Sequence, residues 1–180
     1  MAHDICLERT PLKGCILDIG GGGEGVIGRL YPGQVIAIDR LEEELREAPD
    51  GPVKLVMDAR SLAFCDACID HATAFFAFLF MPAADHAAVA QEVFRVLRPG
   101  GTFSLWDAAF ERADPFLIDL LIDAAGQRIQ TTYGVSRDGR QDAAHFRNLL
   151  ERAGFLLEQF VENDGVFFMR WKKPEVAGAN

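Results

Sequence analysis

The chain has 180 residues, of which 49% are hydrophobic and 25% are charged. This length and composition favour one globular domain with a sizeable core, and they exclude a disordered chain, a collagen-like repeat and a disulfide-dependent miniprotein. Its 18 basic and 27 acidic residues leave a formal charge of −9, which argues against broad binding to nucleic acids or anionic membranes, because both would repel it.

Apolar strands alternate with helical patterns along the first part of the chain, as is typical of a parallel sheet between helices. The predicted elements are a strand at 15–19, a helix at 24–30, a strand at 34–38, a helix at 41–48, strands at 53–57 and 69–77, a helix at 82–97 and a strand at 102–106. The helix at 82–97 carries an apolar stripe and ends at a Pro-Gly-Gly turn.

The segment 108–140 is a long connection in which we predict a helical core at 116–125. Long connections at the carboxyl end of a strand are where lids and substrate pockets form. A helix at 141–153 follows, and then strands at 155–162 and 166–172, whose Asn-Asp-Gly connection predicts an antiparallel hairpin. We therefore predict a single domain over 1–173 with a substrate-covering insertion at 108–140, and a frayed tail at 174–180.

The chain carries no pattern typical of secretion or of a membrane span. Residues 1–13 contain charged side chains and no continuous apolar run, and the longest apolar run, 74–81, is far shorter than the roughly 20 residues of a membrane helix. Four cysteines are too few for a disulfide scaffold, so we expect a cytoplasmic protein in a reducing compartment. Cys65 and Cys68 lack a second close Cys or His pair, so we predict no metal site.

A glycine-rich turn joins the first predicted strand to the first predicted helix. The segment from Asp18 to Gly25 is Asp-Ile-Gly-Gly-Gly-Gly-Glu-Gly. Glycines at this point allow a sharp turn and let a ligand contact the backbone at the helix N-terminus. The glycines alone leave three possibilities open, namely a dinucleotide site, a site for another adenosine ligand and an ordinary turn.

Acidic residues accompany three consecutive strands. Asp18 lies two residues before the first glycine, Asp39 ends the second strand and Asp58 ends the third. A carboxylate at Asp18 would repel a pyrophosphate and attract the ammonium and sulfonium groups of S-adenosylmethionine. Asp39 is placed to accept both hydroxyls of a ribose, and Asp58 to accept the exocyclic amine of adenine. Each acid alone could equally be a helix cap or a solvated turn, but three together favour a cationic nucleoside.

Five segments together carry the pattern of one enzyme family: 16–25, 35–39, 57–59, 70–81 and 93–103. The Leu-Arg-Pro-Gly-Gly turn in the last segment is especially characteristic. On these residues the chain resembles the class I S-adenosylmethionine-dependent methyltransferases that act on small molecules, of the methyltransferase type 11 kind. The resemblance implies an α/β fold with a Rossmann-like, seven-stranded mixed sheet of order 3-2-1-4-5-7-6, in which strand 7 is antiparallel and helices cover both faces.

The resemblance also implies S-adenosylmethionine as the cofactor, S-adenosylhomocysteine as its product and a small molecule as the methyl acceptor. From the net charge we expect neither nucleic acid nor a membrane as partner. The cofactor-binding residues that it implies are Asp18, Gly20, Gly21 and Gly22 around the methionine moiety, Asp39 and Arg40 around the ribose, Asp58 and Ala59 at the adenine, and Ala74 and Phe75 near the reactive methyl group.

The chain departs from the family pattern at two places. The third glycine is displaced to Gly25, with Glu24 before it. The polar or histidine pair that is frequent after the fourth strand is replaced by Leu79 and Phe80. Because the second departure removes any inherited substrate contact, we assign no catalytic residue from the resemblance.

Methyl transfer is an in-line displacement, so alignment of the acceptor and exclusion of water can supply much of the catalysis. If the acceptor must lose a proton, the candidate bases are Asp107, Tyr133 and His145, each of which also has an ordinary structural interpretation. The expected function is methyl transfer to a small molecule. The alternatives are an NAD(P)-dependent oxidoreductase that uses the same glycine turn and a non-catalytic regulatory protein that binds S-adenosylmethionine.

Overall fold

A computed structural model describes residues 2–111, 116–124, 126–135 and 140–175. The first half of the chain forms β1 (His3–Leu7), β2 (Ile16–Ile19), α1 (Val26–Leu30), β3 (Val35–Asp39), α2 (Glu42–Glu47), β4 (Val53–Val56), β5 (Ile69–Phe75), a 3₁₀ turn (Phe78–Phe80) and α3 (His86–Val96). The second half forms β6 (Leu97–Ala108), β7 (Phe110–Glu111), β8 (Phe116–Ala124), β9 (Gln127–Val135), β10 (Arg140–Gln141), α4 (Ala143–Ala153), β11 (Leu156–Asn163) and β12 (Val166–Lys172).

Seven strands form the main sheet in the order β11-β12-β6-β5-β2-β3-β4. The strands from β4 to β6 pair in parallel, whereas β12 is antiparallel to both β6 and β11. This arrangement confirms the strand order and the antiparallel last strand expected from the sequence. Because β2, β3, β4 and β5 are parallel, their carboxyl ends meet at one edge of the sheet, where ligands of such folds bind.

Local sequence explains the elements that end at this edge. All four residues of β2 are buried, as expected for a parallel strand covered on both faces. The hairpin between β11 and β12 turns at Asp164 and Gly165, whose φ angles of 49° and 77° are those of a two-residue turn that suits paired strands. Helix α4 begins at Asp142, whose side chain accepts from the His145 amide at 2.7 Å, and ends at Gly154 with φ 102°.

The main sheet is covered differently on its two faces. Helices α3 and α4 cover one face, where Val93, Phe146 and Leu150 pack against strand residues such as Phe103. Helices α1 and α2 cover the other face together with a second sheet of three strands, in the order β1-β8-β9. Helices therefore lie on both faces, as expected from the sequence, and on the second face the small sheet, which was not predicted, adds to the cover.

The predicted helix at 116–125 is wrong, because the described residues of this segment form strand β8, which pairs with β9 as an antiparallel hairpin. Burial alternates along β8, with Ile118, Leu120 and Ile122 facing the core. The leucines and isoleucines of this segment fit a helical stripe and a strand equally well. Two partner strands decide between them, since β9 and the unpredicted β1 supply backbone hydrogen bonds on both edges of β8.

In the described ranges, none of the helices combines the length and the hydropathy that crossing a membrane would require. Of the predicted frayed tail, residues 176–180 lie outside the described residues.

Candidate functional site

A cavity of about 780 Å³ opens at the carboxyl edge of the main sheet. Its walls come from the turns after β2, β3, β4 and β5, from the start of α2 and α3, and from the edge strand β9 of the small sheet. The wall residues include Gly20, Gly22, Glu24, Asp39, Arg40, Leu41, Glu44, Met57, Asp58, Ala59, Arg60, Phe75, Phe76, Phe80, Thr131 and Tyr133. The volume is in the range of sites for small molecules and cofactors.

The glycine turn after β2 is held by its own backbone hydrogen bonds. The amides of Gly21, Gly23 and Gly25 donate to the carbonyls of Ile38, Glu44 and Gly22 at 3.0, 2.9 and 3.1 Å, respectively. A phosphate group is usually bound in such a turn by amides that point outward. These three donors are used within the protein and are therefore not available to a pyrophosphate.

Gly20 is one of the residues of this turn where the conformation and the packing both require glycine. Its φ angle of 68° lies in the left-handed region. A methyl group at this position would also come within 2.6 Å of the Ala77 Cβ, which follows β5. The close approach keeps the turn against the end of β5 and leaves the cavity open above it.

Asp39 and Asp58 stand at adjacent strand ends, and both side chains line the cavity. Asp39 uses its Oδ1 atom to accept from the Leu41 amide at 3.0 Å, which fixes its side chain over the end of β3. Asp58 forms an ion pair with Arg60 at 2.6 Å, and Arg60 also pairs with Asp85 at 3.2 Å. The hydrogen bonds from Arg60 lower the pKa of Asp58 to about 2, so that carboxyl group is ionised at neutral pH.

Negative charge is concentrated at the glycine-turn end of the cavity. Glu24 and Glu44 line this end together with Asp39. Burial and the neighbouring charges of Asp39, Glu47 and Glu24 raise the pKa of Glu44. A cationic ligand would relieve this repulsion, whereas an anionic ligand would add to it.

Seven of the ten predicted cofactor-binding residues line the cavity: Gly20, Gly22, Asp39, Arg40, Asp58, Ala59 and Phe75. Among the described residues, the cavity wall does not include Asp18, Gly21 or Ala74. Asp18 is buried beneath the turn and accepts from the Thr73 hydroxyl at 2.7 Å, and burial raises its pKa to about 7. Ala74 is fully buried in β5.

Sequence reasoning predicted a substrate cover at 108–140 and named Tyr133, but it missed the contact of β9 with the glycine turn. Glu24 accepts hydrogen bonds from Thr131 and Tyr133, so the hairpin contacts the glycine turn directly. The displacement of the third glycine of the motif to Gly25 marked Glu24 as unusual. Nothing in the local sequence indicated that Glu24 contacts residues more than a hundred positions later in the chain. Phe76 was missed as well. It lies on the wall in the left-handed region at φ 53°, a strained conformation for a bulky residue.

Of the three candidate bases, only Tyr133 lines the cavity. Burial and the carboxylate of Glu24 raise its pKa, so the phenol stays protonated and cannot act as a base at neutral pH. Asp107 is fully buried and accepts from Gln141 Nε2 at 2.6 Å, and His145 contacts His86 through their ring nitrogens at 3.0 Å. Both have structural positions away from the wall.

The Cys65 and Cys68 pair lies away from this cavity. Cys68 Sγ donates to the Cys65 carbonyl at 2.9 Å, and neither residue is in a disulfide. In the part of the chain that the structure describes, no cluster of three or more His, Cys, Asp or Glu side chains has the arrangement of a metal site.

Comparison with known proteins gives one family match. A family model described as a methyltransferase domain matches residues 17–105. No curated protein matches the chain.

Solved structures of similar fold include three archaeal and bacterial proteins. An S-adenosylmethionine-dependent methyltransferase from Methanosarcina mazei is 19% identical, with 93% of this chain and 96% of that chain covered and a TM-score of 0.66. One from Mesorhizobium loti is 20% identical over 91% and 93% of the two chains, with a TM-score of 0.64. A protein from Pyrococcus horikoshii is 18% identical over 90% and 82%, with a TM-score of 0.67. At these identities the likeness shows a shared fold.

Proposed function

We propose that the chain is an S-adenosylmethionine-dependent methyltransferase that transfers the methyl group to a small molecule bound between the strand ends and the β8–β9 hairpin. One observation carries this proposal: Asp39 and Asp58, at adjacent strand ends, open onto the same cavity as Thr131 and Tyr133 of the hairpin. The region that would hold the cofactor and the region that would hold the acceptor therefore belong to one cavity.

The chemistry of the wall fits this cofactor. The carboxylates of Glu24, Asp39 and Glu44 surround the end where a sulfonium and an ammonium group would lie. The same carboxylates would repel a pyrophosphate, and three amides of the glycine turn already donate within the protein, so the site disfavours a dinucleotide. The charge and the hydrogen bonding of the site therefore favour S-adenosylmethionine over NAD.

The residues that would hold the cofactor follow from the wall. Asp39 would accept hydrogen bonds from the ribose hydroxyls, and Asp58 and Ala59 would contact the adenine. Leu41 and Met57 line the same end and supply apolar surface for a planar base, with Leu41 57% exposed in this structure. Asp18 would act on the methionine moiety indirectly, through the glycine turn that it supports from below.

When bound, the cofactor supplies a methyl carbon activated by a positively charged sulfur. The contribution of the chain is to align the acceptor and to exclude water. The rings of Phe76, Phe80 and Tyr133 line the cavity where the acceptor would lie, and residues 131–133 of the predicted insertion would cover it. Of the three candidate bases, Tyr133 lines the cavity but stays protonated, so an acceptor that is nucleophilic without one of them as base fits best.

Isothermal titration of the purified chain tests the ligand. We expect micromolar binding of S-adenosylmethionine and S-adenosylhomocysteine and no heat from NAD or NADP. Incubation of the chain and methyl-labelled S-adenosylmethionine with a small-molecule extract then tests the acceptor by mass spectrometry. Label in a small molecule supports the proposal, whereas label only in added RNA or protein would contradict it.

A further inference from the structure

Glu24 joins the glycine turn to the hairpin through both oxygens of one carboxylate. Its Oε1 atom accepts from the Thr131 hydroxyl, and its Oε2 atom accepts from the Tyr133 hydroxyl at 2.9 Å. Thr131 and Tyr133 are two positions apart on β9, so both side chains leave the same face of the strand. Hydrogen bonds from neutral donors to a carboxylate are stronger than those between neutral groups.

The backbone of Glu24 is held in place from both sides. It lies between Gly23 and Gly25, which have φ angles of 56° and 53° and whose amides donate to Glu44 and Gly22. On α1, Arg29 donates through Nε to the Glu24 carbonyl at 2.8 Å. The direction of the Glu24 side chain therefore depends on the conformation of the glycine turn.

Tyr133 makes this contact relevant to the cavity wall. Its ring centroid lies 5.6 Å from that of Phe76 and 5.8 Å from that of Phe80, and all three rings line the cavity. Burial raises the pKa of Tyr133, which keeps its hydroxyl a donor to Glu24. The position of an aromatic part of the wall is thus set by its contact with the glycine turn.

We propose that Glu24 is a positioning residue that couples cofactor binding at the glycine turn to the ordering of the β8–β9 hairpin over the methyl acceptor. The inference rests on the proposed function. A ligand that stabilises the turn stabilises the orientation of Glu24, and with it the hydrogen bonds to β9. By thermodynamic reciprocity, those hydrogen bonds strengthen cofactor binding by the same factor.

Hydrogen exchange of residues 126–135 measures this coupling without an acceptor. In the unaltered chain, saturating S-adenosylhomocysteine is expected to slow exchange of this strand by about 5-fold or more. The double variant Thr131→Val, Tyr133→Phe removes both hydroxyls without changing the charge of the cavity. It is expected to exchange equally fast with and without the ligand, and to bind the ligand more weakly by a similar factor.

Two further variants complete the test. Glu24→Ala is expected to behave as the double variant does, and the double variant alone decides the matter if Glu24→Ala does not fold. Gln130→Ala changes an exposed residue of the same strand and should keep the ligand-dependent protection. If S-adenosylhomocysteine binds the unaltered chain but does not slow exchange, or if the double variant keeps the protection, the coupling is refuted and the proposed function stands. If neither S-adenosylhomocysteine nor S-adenosylmethionine binds, both are refuted.

Discussion

Thr73 on β5 donates its hydroxyl to the carboxylate of Asp18 on β2 at 2.7 Å, and the two residues are direct partners across these parallel strands. The second carboxylate oxygen lies beneath the glycine turn, where a methyl group on Gly21 would approach it to 2.8 Å. Asp18 therefore supports the turn from inside the sheet, and a buried acid lies under the cofactor region.

This burial predicts a pH dependence of stability. The pKa of Asp18 is raised to about 7 in the folded chain against an ordinary value of 3.8, chiefly by burial. Between these values the folded state binds more protons than the unfolded state, so the free energy of unfolding falls as the pH rises from about 4 to about 7. The fall attributable to this one group is on the order of 4 kcal/mol at most.

Asp18→Asn keeps an oxygen for Thr73 and removes the titration. Urea unfolding at pH 5 and pH 8 should therefore show a smaller loss of stability in the variant than in the unaltered chain. Burial likewise raises the pKa of Asp107 to about 7, so part of the pH dependence of stability remains in the variant. Parallel stability profiles for the two proteins would mean that Asp18 does not titrate in this range.

Replacement of Asp39 should weaken cofactor binding. Asp39→Ala removes a charged acceptor on the cavity wall, and we expect S-adenosylhomocysteine to bind more weakly by about 1 to 3 kcal/mol, as for a charge-assisted hydrogen bond. Asp39→Asn keeps an oxygen for the Leu41 amide and so separates the loss of charge from a loss of the turn. Titration calorimetry gives the affinities, with Glu158→Gln on the exposed face of β11 as the control. Unchanged affinity in Asp39→Ala would remove this residue from the site.

The glycine at position 20 is under two constraints that can be measured separately. Gly20→Ala adds a methyl group 2.6 Å from the Ala77 Cβ in a left-handed conformation, and we expect a loss of about 2 to 5 kcal/mol in the free energy of unfolding. Gly165→Ala has a similar φ angle of 77° with no heavy atom within 4 Å, so it should lose only about 1 to 2 kcal/mol. Denaturant unfolding of both variants checks the difference. Equal losses would show that the contact with Ala77 gives way without strain.

Two leucines of the hairpin distinguish a strand from a helix in this segment. Leu120 is fully buried and Leu117 is 67% exposed, although a helix would place both on one face. Leu120→Ala should lower the free energy of unfolding by about 2 to 5 kcal/mol, and Leu117→Ala should change it by less than about 0.5 kcal/mol. Thermal or urea unfolding measures both variants, and comparable losses would restore the helical interpretation.

The sequence alone was sufficient for the main sheet. Short apolar runs such as Ile16–Ile19, each followed by a glycine or acidic residue, define parallel strands because their burial on both faces leaves a local composition signal. The same local signal predicted that Asp39 and Asp58 lie near each other, since residues that end adjacent parallel strands must meet at one edge of the sheet.

Only the tertiary structure decided the cover of the cavity and the surroundings of its charges. Strand β8 has an ambiguous apolar pattern, and its state depends on hydrogen bonds to β1, whose paired residues lie 117 positions earlier, and to β9. The bonds from Thr131 and Tyr133 to Glu24 and the burial of Asp18 are likewise relations between distant segments. Such pairings depend on which surfaces pack together, and no local pattern of residue types records them.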